Sequence, residues 1–205
     1  MTDPGGVHTG GDEAGADVFL ETERLILRRF RPSDVDHLVA LDGDPEVMFY
    51  INGGRPTSRE EIETDQLPAF LAYYESSDRY GFWAAIEKTT GDFVGWFHFR
   101  PEPGHPDDEP ELGYRLRKAS WGLGYATEGS RALIDRGFRE AGVARVVAST
   151  MVVNIGSWSV MEKCGMTRIR EFRQDWPYPI PGDEFGDVEY AVTKSAWLSS
   201  NPHFG

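Results

Sequence analysis

Cysteine is the first scarcity. The chain of 205 residues has one, Cys164, so no internal disulfide can form. With no clustered His or Cys beside it, a thiolate zinc site is excluded too, and no metal is expected. The fold must rest on its apolar core. Basic residues are also few: 21 Lys and Arg stand against 34 Asp and Glu, and the formal charge of −13 repels phosphate backbones and anionic lipid. Nucleic acid and membrane surfaces are poor partners for such a chain. Apolar runs such as Ala69 to Tyr74 stop far short of the ~18 residues that span a bilayer. The N-terminus has neither the basic nor the apolar region of a signal peptide, which points to a cytoplasmic protein. What is present, 40% hydrophobic, 13% aromatic and 27% charged residues, suits a globular protein of one domain.

Residues 1–17 hold five glycines and four acids with no Lys, Arg or aromatic residue. They cannot bury enough apolar surface to offset the entropy of ordering, so a disordered tail is expected there and a folded domain over 18–205. Arg24 to Phe30 reads as a first strand, and Pro32 with Asp34 suits the first turn of a helix over Ser33 to Leu41. Thr57-Ser58-Arg59-Glu60 has capping-box spacing, which predicts a second helix, bent or broken at Pro68. Gly81 to Lys88 and Phe93 to Phe99 are aromatic-rich strands joined by Thr89-Thr90-Gly91-Asp92, an antiparallel hairpin. Arg100 to Pro110, with four prolines and four acids, is an exposed loop. Glu111 to Leu116 alternates, with Leu112, Tyr114 and Leu116 on one face and Glu111, Gly113 and Arg115 on the other. After Trp121 to Gly124, apolar residues recur at helical spacing from Ala126 to Ala141, and Gly142 ends the helix. Val143 to Met151 is a strand, Ser157 to Lys163 a short helix, and Met166 to Phe172 and Val188 to Thr193 are closing strands. The order predicts a mixed α/β or α+β sheet with helices packed on it in a single domain.

Trp121-Gly122-Leu123-Gly124-Tyr125-Ala126 lies between a strand and a helix, where unpaired amides and the positive end of the helix dipole form an anion site. Arg115, Arg117 and Lys118 add local positive charge. Simple chain reversal is an equal reading of the glycines alone. A dinucleotide motif fails because Thr127 stands at the third glycine position, and a Walker loop fails because no Gly-Lys-Ser/Thr follows.

Glu111-Leu112-Gly113-Tyr114-Arg115-Leu116, then Trp121 to Glu128, then Asn154-Ile155-Gly156-Ser157 with Glu162-Lys163-Cys164-Gly165-Met166, together resemble the GNAT N-acetyltransferases, most closely the RimJ/RimL branch. The resemblance covers residues 20–195 and implies a mostly antiparallel twisted sheet with flanking helices. It implies acetyl-CoA as co-substrate, lying between the fourth and fifth strands of the family fold. Its pyrophosphate would rest on the amides of Gly122, Leu123, Gly124, Tyr125 and Ala126, with Arg117 nearby, and its pantetheine and acetyl oxygen would meet the backbone around Leu116. Trp121 replaces the family's usual Gln or Arg. Many GNAT enzymes place a tyrosine seven residues after the motif asparagine, but Met161 occupies that position, so the resemblance shifts the acid role to Ser157 and leaves Asn154 to hold pantetheine or the adjoining strand. Asn154 and Ser157 suit a plain helix cap equally well.

Acetyl transfer to an amine needs a neutral amine, a stabilised tetrahedral oxyanion and a proton for the thiolate. An α-amine of pKa ~8 is about 10% neutral at pH 7, whereas a lysine amine at ~10.4 is neutral to about 0.04%. Glu111 is the candidate base, with a surface carboxylate offsetting Arg115 as the plainer alternative. His98, between Phe97 and Phe99, is a weaker candidate that suits packing. Glu128 at a helix start suits the dipole, and Cys164 suits structural burial. Phe172 to Asp187 reads as a loop or lid in which Asp175, Trp176 and Tyr178 would contact the acceptor. The expected function is therefore direct transfer from acetyl-CoA to a primary amine, with the negative charge favouring a cationic amine such as a basic peptide N-terminus or a small metabolite. The alternative is an inactive acyl-CoA-binding or interaction module. Oligomeric state, a homodimer included, is left open.

Overall fold

A computed structural model describes residues 17–201. The expected tail lies outside them except for Asp17, whose carboxylate pairs with Arg31 at 2.7 Å. One eight-stranded sheet organises the molecule, with strands β1 (Val18–Glu21), β2 (Leu25–Arg29), β3 (Gly81–Glu87), β4 (Phe93–Arg100), β5 (Glu111–Leu116), β6 (Arg145–Met151), β7 (Thr167–Phe172) and β8 (Asp187–Thr193). Its spatial order is β1-β2-β3-β4-β5-β6-β8-β7. Neighbours are antiparallel except β5 and β6, which are parallel and share one register pair, Glu111 with Val147. The expected strands all form, but the one predicted to be first is second. β1 precedes it, too short to stand out in sequence, and is held by Phe19 stacking on Trp83 with ring centroids 4.0 Å apart.

Helices cover both faces. On one lie α1 (Val35–Asp42), α2 (Phe49–Asn52), α3 (Arg59–Glu61) and α4 (Leu67–Ser76). Leu38, Leu41, Leu67 and Phe70 from this group bury against Phe30, Ala84, Phe93 and Trp96 of the sheet side. On the other lie α5 (Tyr125–Arg139), α6 (Ile155–Lys163) and α7 (Lys194–Ser200). Along α5 the buried residues Gly129, Ser130, Leu133, Ile134, Gly137 and Phe138 recur at three- and four-residue spacing, so one stripe meets the sheet. Burying Leu133, Ile134 and Phe138 contributes about 1.5–3 kcal/mol each.

The break expected at Pro68 does not occur. Residues Ile62–Gln66 form a π-helical turn between α3 and α4, and Pro68 follows directly after it, where the wider turn accommodates the ring and the missing N–H. The chain stays helical from Arg59 to Ser76, and the widened turn absorbs the proline.

Candidate functional site

A single register pair is too little to hold β5 and β6 together along their length. The strands splay, and a cleft of about 800 Å³ opens between them, lined from β5 by residues 111–116 and from β6 by Ser149, Thr150 and Met151. Because β5 alternates, the gap connects both faces of the sheet. Tyr114 looks toward the α5 and α6 side, and Glu111 and Arg115 look toward the α1 and α4 side.

At the α5 end, Gly122 and Gly124 take φ of +72° and +86°, which a side chain resists. Glu128 N is the first amide to bond back into the helix, to Gly124 O at 3.0 Å. The amides of residues 122–127 form no hydrogen bond among the described residues, so they offer a ready cradle for an anion. The cradle is anchored from a distance. Glu128 accepts from Thr22 Oγ1 (2.6 Å), Arg24 N (2.8 Å) and Arg24 Nε (2.6 Å), and Arg24 Nη1 donates to Leu123 O at 2.9 Å. Burial opposes the Glu128 charge, but these donors outweigh it and hold the carboxyl below its ordinary value. The suggested dipole role is therefore joined by a tie 104 residues long in sequence.

Trp121 makes sense of its own departure from the family pattern. Its indole Nε1 donates to Leu116 O at 2.8 Å, pinning the end of β5 to the turn. Trp121→Phe removes that donor and, with the acetyl-CoA co-substrate that the family resemblance implies, should raise its KM about 3- to 10-fold with kcat little changed, the scale of one net hydrogen bond. Steady-state thiol release at varied acetyl-CoA checks this; a KM within error of the parent would show that the pin is idle.

At the opposite face, Glu111 Oε1 accepts from Ser149 Oγ at 3.1 Å, and Glu111 Oε2 lies 3.4 Å from His98 Nε2. Both side chains are largely buried, at 17% and 15% exposed. Burial pushes the Glu111 pKa up, yet His98, Ser149 and the Arg100 charge together hold it below its usual value, as a carboxylate. Gly113 makes room for this pair, since a Cβ there would stand 2.5 Å from the imidazole ring. Arg115 shares the Glu111 face as expected but does not pair with it. Its Nη1 meets Asp42 Oδ2 at 2.6 Å, and Asp42, which is 0% exposed, also accepts from Gln66 Nε2 at 3.0 Å. Nothing in the local sequence pointed to Asp42.

In the corner between β6 and α6, Asn154 Oδ1 caps the helix through Ser157 N at 3.3 Å, and Asn154 Nδ2 donates to Thr150 Oγ1 at 3.1 Å. Its side chain therefore holds the adjoining strand. Ser157 lines the cleft, with its side chain beside the Tyr114 hydroxyl. Tyr114 Oη donates to Ser157 O at 3.3 Å, and burial pushes its pKa up to about 12, so it stays protonated. Burial likewise pushes Cys164 up to about 12, an unreactive thiol.

The cleft gathers Glu111, Leu116, Gly122, Gly124, Tyr125, Ala126, Asn154, Ser157 and Trp176 from the sequence-derived candidates. Four others do not line it. The Arg117 guanidinium turns to Asp92 and Ser120, Leu123 and Asp175 are exposed, and Tyr178 is half-exposed, with Arg55 stacked 4.1 Å from its ring. His98 joins the site with more standing than its sequence neighbours suggested. Among the described residues, no group of three or more His, Cys, Asp or Glu could hold a metal, and no helix is long and apolar enough to cross a membrane.

Comparisons with known proteins bear on the family and the fold. The acetyltransferase (GNAT) domain family matches residues 24–167. The chain is 36% identical over 186 residues to the FsC-acetyl coenzyme A-N(2)-transacetylase of Aspergillus fumigatus, covering 87% of this chain and 77% of that protein. Among solved structures it is similar to a GNAT acetyltransferase from Bacillus anthracis, with a TM-score of 0.69 at 25% identity over 86% of this chain and 98% of that one. It shares the fold of RimL, a ribosomal alpha-N-protein acetyltransferase in complex with coenzyme A, with a TM-score of 0.71 at 20% identity over 88% and 99% of the two chains. With the family match spanning most of the chain and a relative 36% identical over 87% of it, the chain belongs to the GNAT family of N-acetyltransferases.

Proposed function

We propose that the chain transfers the acetyl group of acetyl-CoA directly to a primary amine, with the two substrates meeting in the gap between β5 and β6. One observation carries this reading: the gap joins the unspent amides of residues 122–127 on one face of the sheet to the Glu111–His98 pair on the other. The pyrophosphate fits the amide turn, whose glycines let it approach the main chain. The amine reaches Glu111 and His98. Glu111 stays ionised and orients the imidazole, which takes the ammonium proton directly or through a water, so the base is the pair rather than the carboxylate alone. Ser157, which lines the cleft, supplies the proton for the departing thiolate. Trp176 borders the acceptor, whereas Asp175, Tyr178, Arg117 and the Leu123 side chain have no contact role. The Aspergillus relative is named for an N(2) acceptor and RimL for an alpha-N-protein one, and both names support an amine nitrogen.

Thiol release from acetyl-CoA over a panel of amines, after calorimetric binding of acetyl-CoA, tests the reading. Binding with release on at least one amine class supports it, and binding without release from any amine would favour the inactive module. Ser157→Ala should slow turnover about 10- to 100-fold while acetyl-CoA affinity is nearly kept, because a general acid acts in the transition state. Unchanged turnover would move the acid role to Tyr114 or to solvent.

A further inference from the structure

Two segments that line the cleft also touch each other. One is α2, with Tyr50 and Ile51 on the cavity wall; the other is the loop between β7 and β8, which places Trp176 there. In that loop Pro177, Pro179 and Pro181 alternate with Trp176, Tyr178 and Ile180, a composition that holds the chain extended and stiff. Ile180 roots it in the interior at 2% exposed, and Gln174 N donates to Asp187 Oδ2 at 3.0 Å at its base. Just after α2, Gly53 takes a φ of +78°, and a Cβ there would lie 3.6 Å from Pro179 O. Asn52 fixes the turn that follows: its Nδ2 donates to Arg55 O and its Oδ1 accepts from Arg55 N, both at 2.9 Å. The turn delivers the Arg55 guanidinium to the face of Tyr178, 4.1 Å from the ring centroid. Neither Arg55 nor Tyr178 lines the cleft itself.

We propose that Arg55 and Tyr178 determine acceptor size: their stack clasps α2 to the β7–β8 loop as a roof over the acceptor end of the cleft, and the roof admits an amine on a small molecule but not one on a long polypeptide. This rests on the acetyl-transfer reading above and deepens it. The two segments both border the cavity and meet at Gly53 and Pro179, so they bridge it and leave no passage between them for a chain. The other mouth of the cleft is the amide turn, which the pyrophosphate takes. An acceptor whose amine reaches Glu111 and His98 is therefore enclosed, and a polypeptide behind that amine has to part the roof. Arg55 and Tyr178 touch no substrate; they act as positioning residues by keeping Trp176 and α2 in place. Net charge alone left a basic peptide and a small metabolite equally acceptable, and the roof chooses the second. The proline-rich arm swings as a unit, so one exposed cation–π contact at its tip shifts the balance between closed and parted roof by about 2- to 5-fold.

The test measures kcat/KM by thiol release on two pairs of acceptors, each presenting one reacting amine on a small and on a long molecule. Alaninamide is set against a decapeptide amide that begins with alanine, and butylamine against the lysine side chain of an N-acetylated decapeptide amide. The parent enzyme should favour the small member of whichever pair it uses by about 10-fold or more, the scale of a steric exclusion. Tyr178→Ala and Arg55→Ala should each raise the value for the long member about 2- to 5-fold, with the small member and KM for acetyl-CoA held within about twofold, because the closed roof still predominates. Tyr178→Phe keeps the ring under the guanidinium and should restore the parent ratio. The double variant should match either single one, since both remove the same contact. Equal use of long and small acceptors by the parent enzyme would overturn the inference, and that comparison needs no variant to fold. An unchanged ratio in both alanine variants, or a parallel loss on long and small acceptors, would overturn it as well. Thiol release from none of the four would overturn the acetyl-transfer reading and this inference with it, an outcome distinct from release without preference.

Discussion

Glu111→Gln should lower kcat/KM by about 10²- to 10⁴-fold for a lysine-type amine, and by clearly less for an α-amine. The reason is the proton. A lysine amine must lose one before it can attack, whereas an α-amine of pKa ~8 is already about 10% neutral at pH 7. Gln keeps the side chain's size and can still accept from Ser149, but it cannot orient a protonated imidazole. The Glu111 carboxyl sits below its ordinary value because His98, Ser149 and Arg100 outweigh its burial, so it is ionised throughout the neutral range. The pH–rate profile in the neutral range should therefore carry no limb belonging to Glu111. Thiol release from pH 6 to 9 on the two amine types measures both points. A loss that is the same for both amines would assign Glu111 to binding, and no loss at all would remove it from the chemistry.

The second large effect concerns stability. Asp42→Asn should cost about 3–5 kcal/mol, because it leaves the largely buried Arg115 without its counter-charge. At about 2–4 °C per kcal/mol for a chain of this size, thermal unfolding should move down by about 6–20 °C. Asp42 is fully enclosed and receives both Arg115 and Gln66, so it joins α1 and the segment before α4 to β5. Adding Arg115→Met to Asp42→Asn should recover part of the loss, since the double variant has no orphaned charge. Circular dichroism melts of the parent, the two singles and the double complete the cycle. Additive losses would mean that the pair does not interact as its geometry states.

What could be read beforehand follows from sequence distance. The amide turn at residues 121–126 is contiguous, and its glycine positions, flanking strand and following helix are all local signals. The faces of β5 were legible for the same reason, because alternation over six residues separates Glu111 and Arg115 from Tyr114. Partners were another matter. A shared face offers Arg115 as the plainer neighbour of Glu111, but His98, opposite Gly113 on β4, lies diagonal to Glu111 and contacts it, and Arg115 pairs with Asp42. Phe97 and Phe99 made His98 look like a packing residue, yet alternation sends those rings to the opposite face of the sheet.

Left to itself, then, the amino-acid order determined the elements, their sequence along the chain, the anion-binding turn and the family resemblance, since each depends on residues a few positions apart. Only tertiary structure decided which groups work together: Thr22 and Arg24 with Glu128, Asp42 with Arg115, His98 with Glu111, and the cleft itself. The cleft exists because two parallel strands share one register pair and then diverge. Strand register and splay arise from long-range packing on both faces of the sheet, and no short stretch of the chain encodes them.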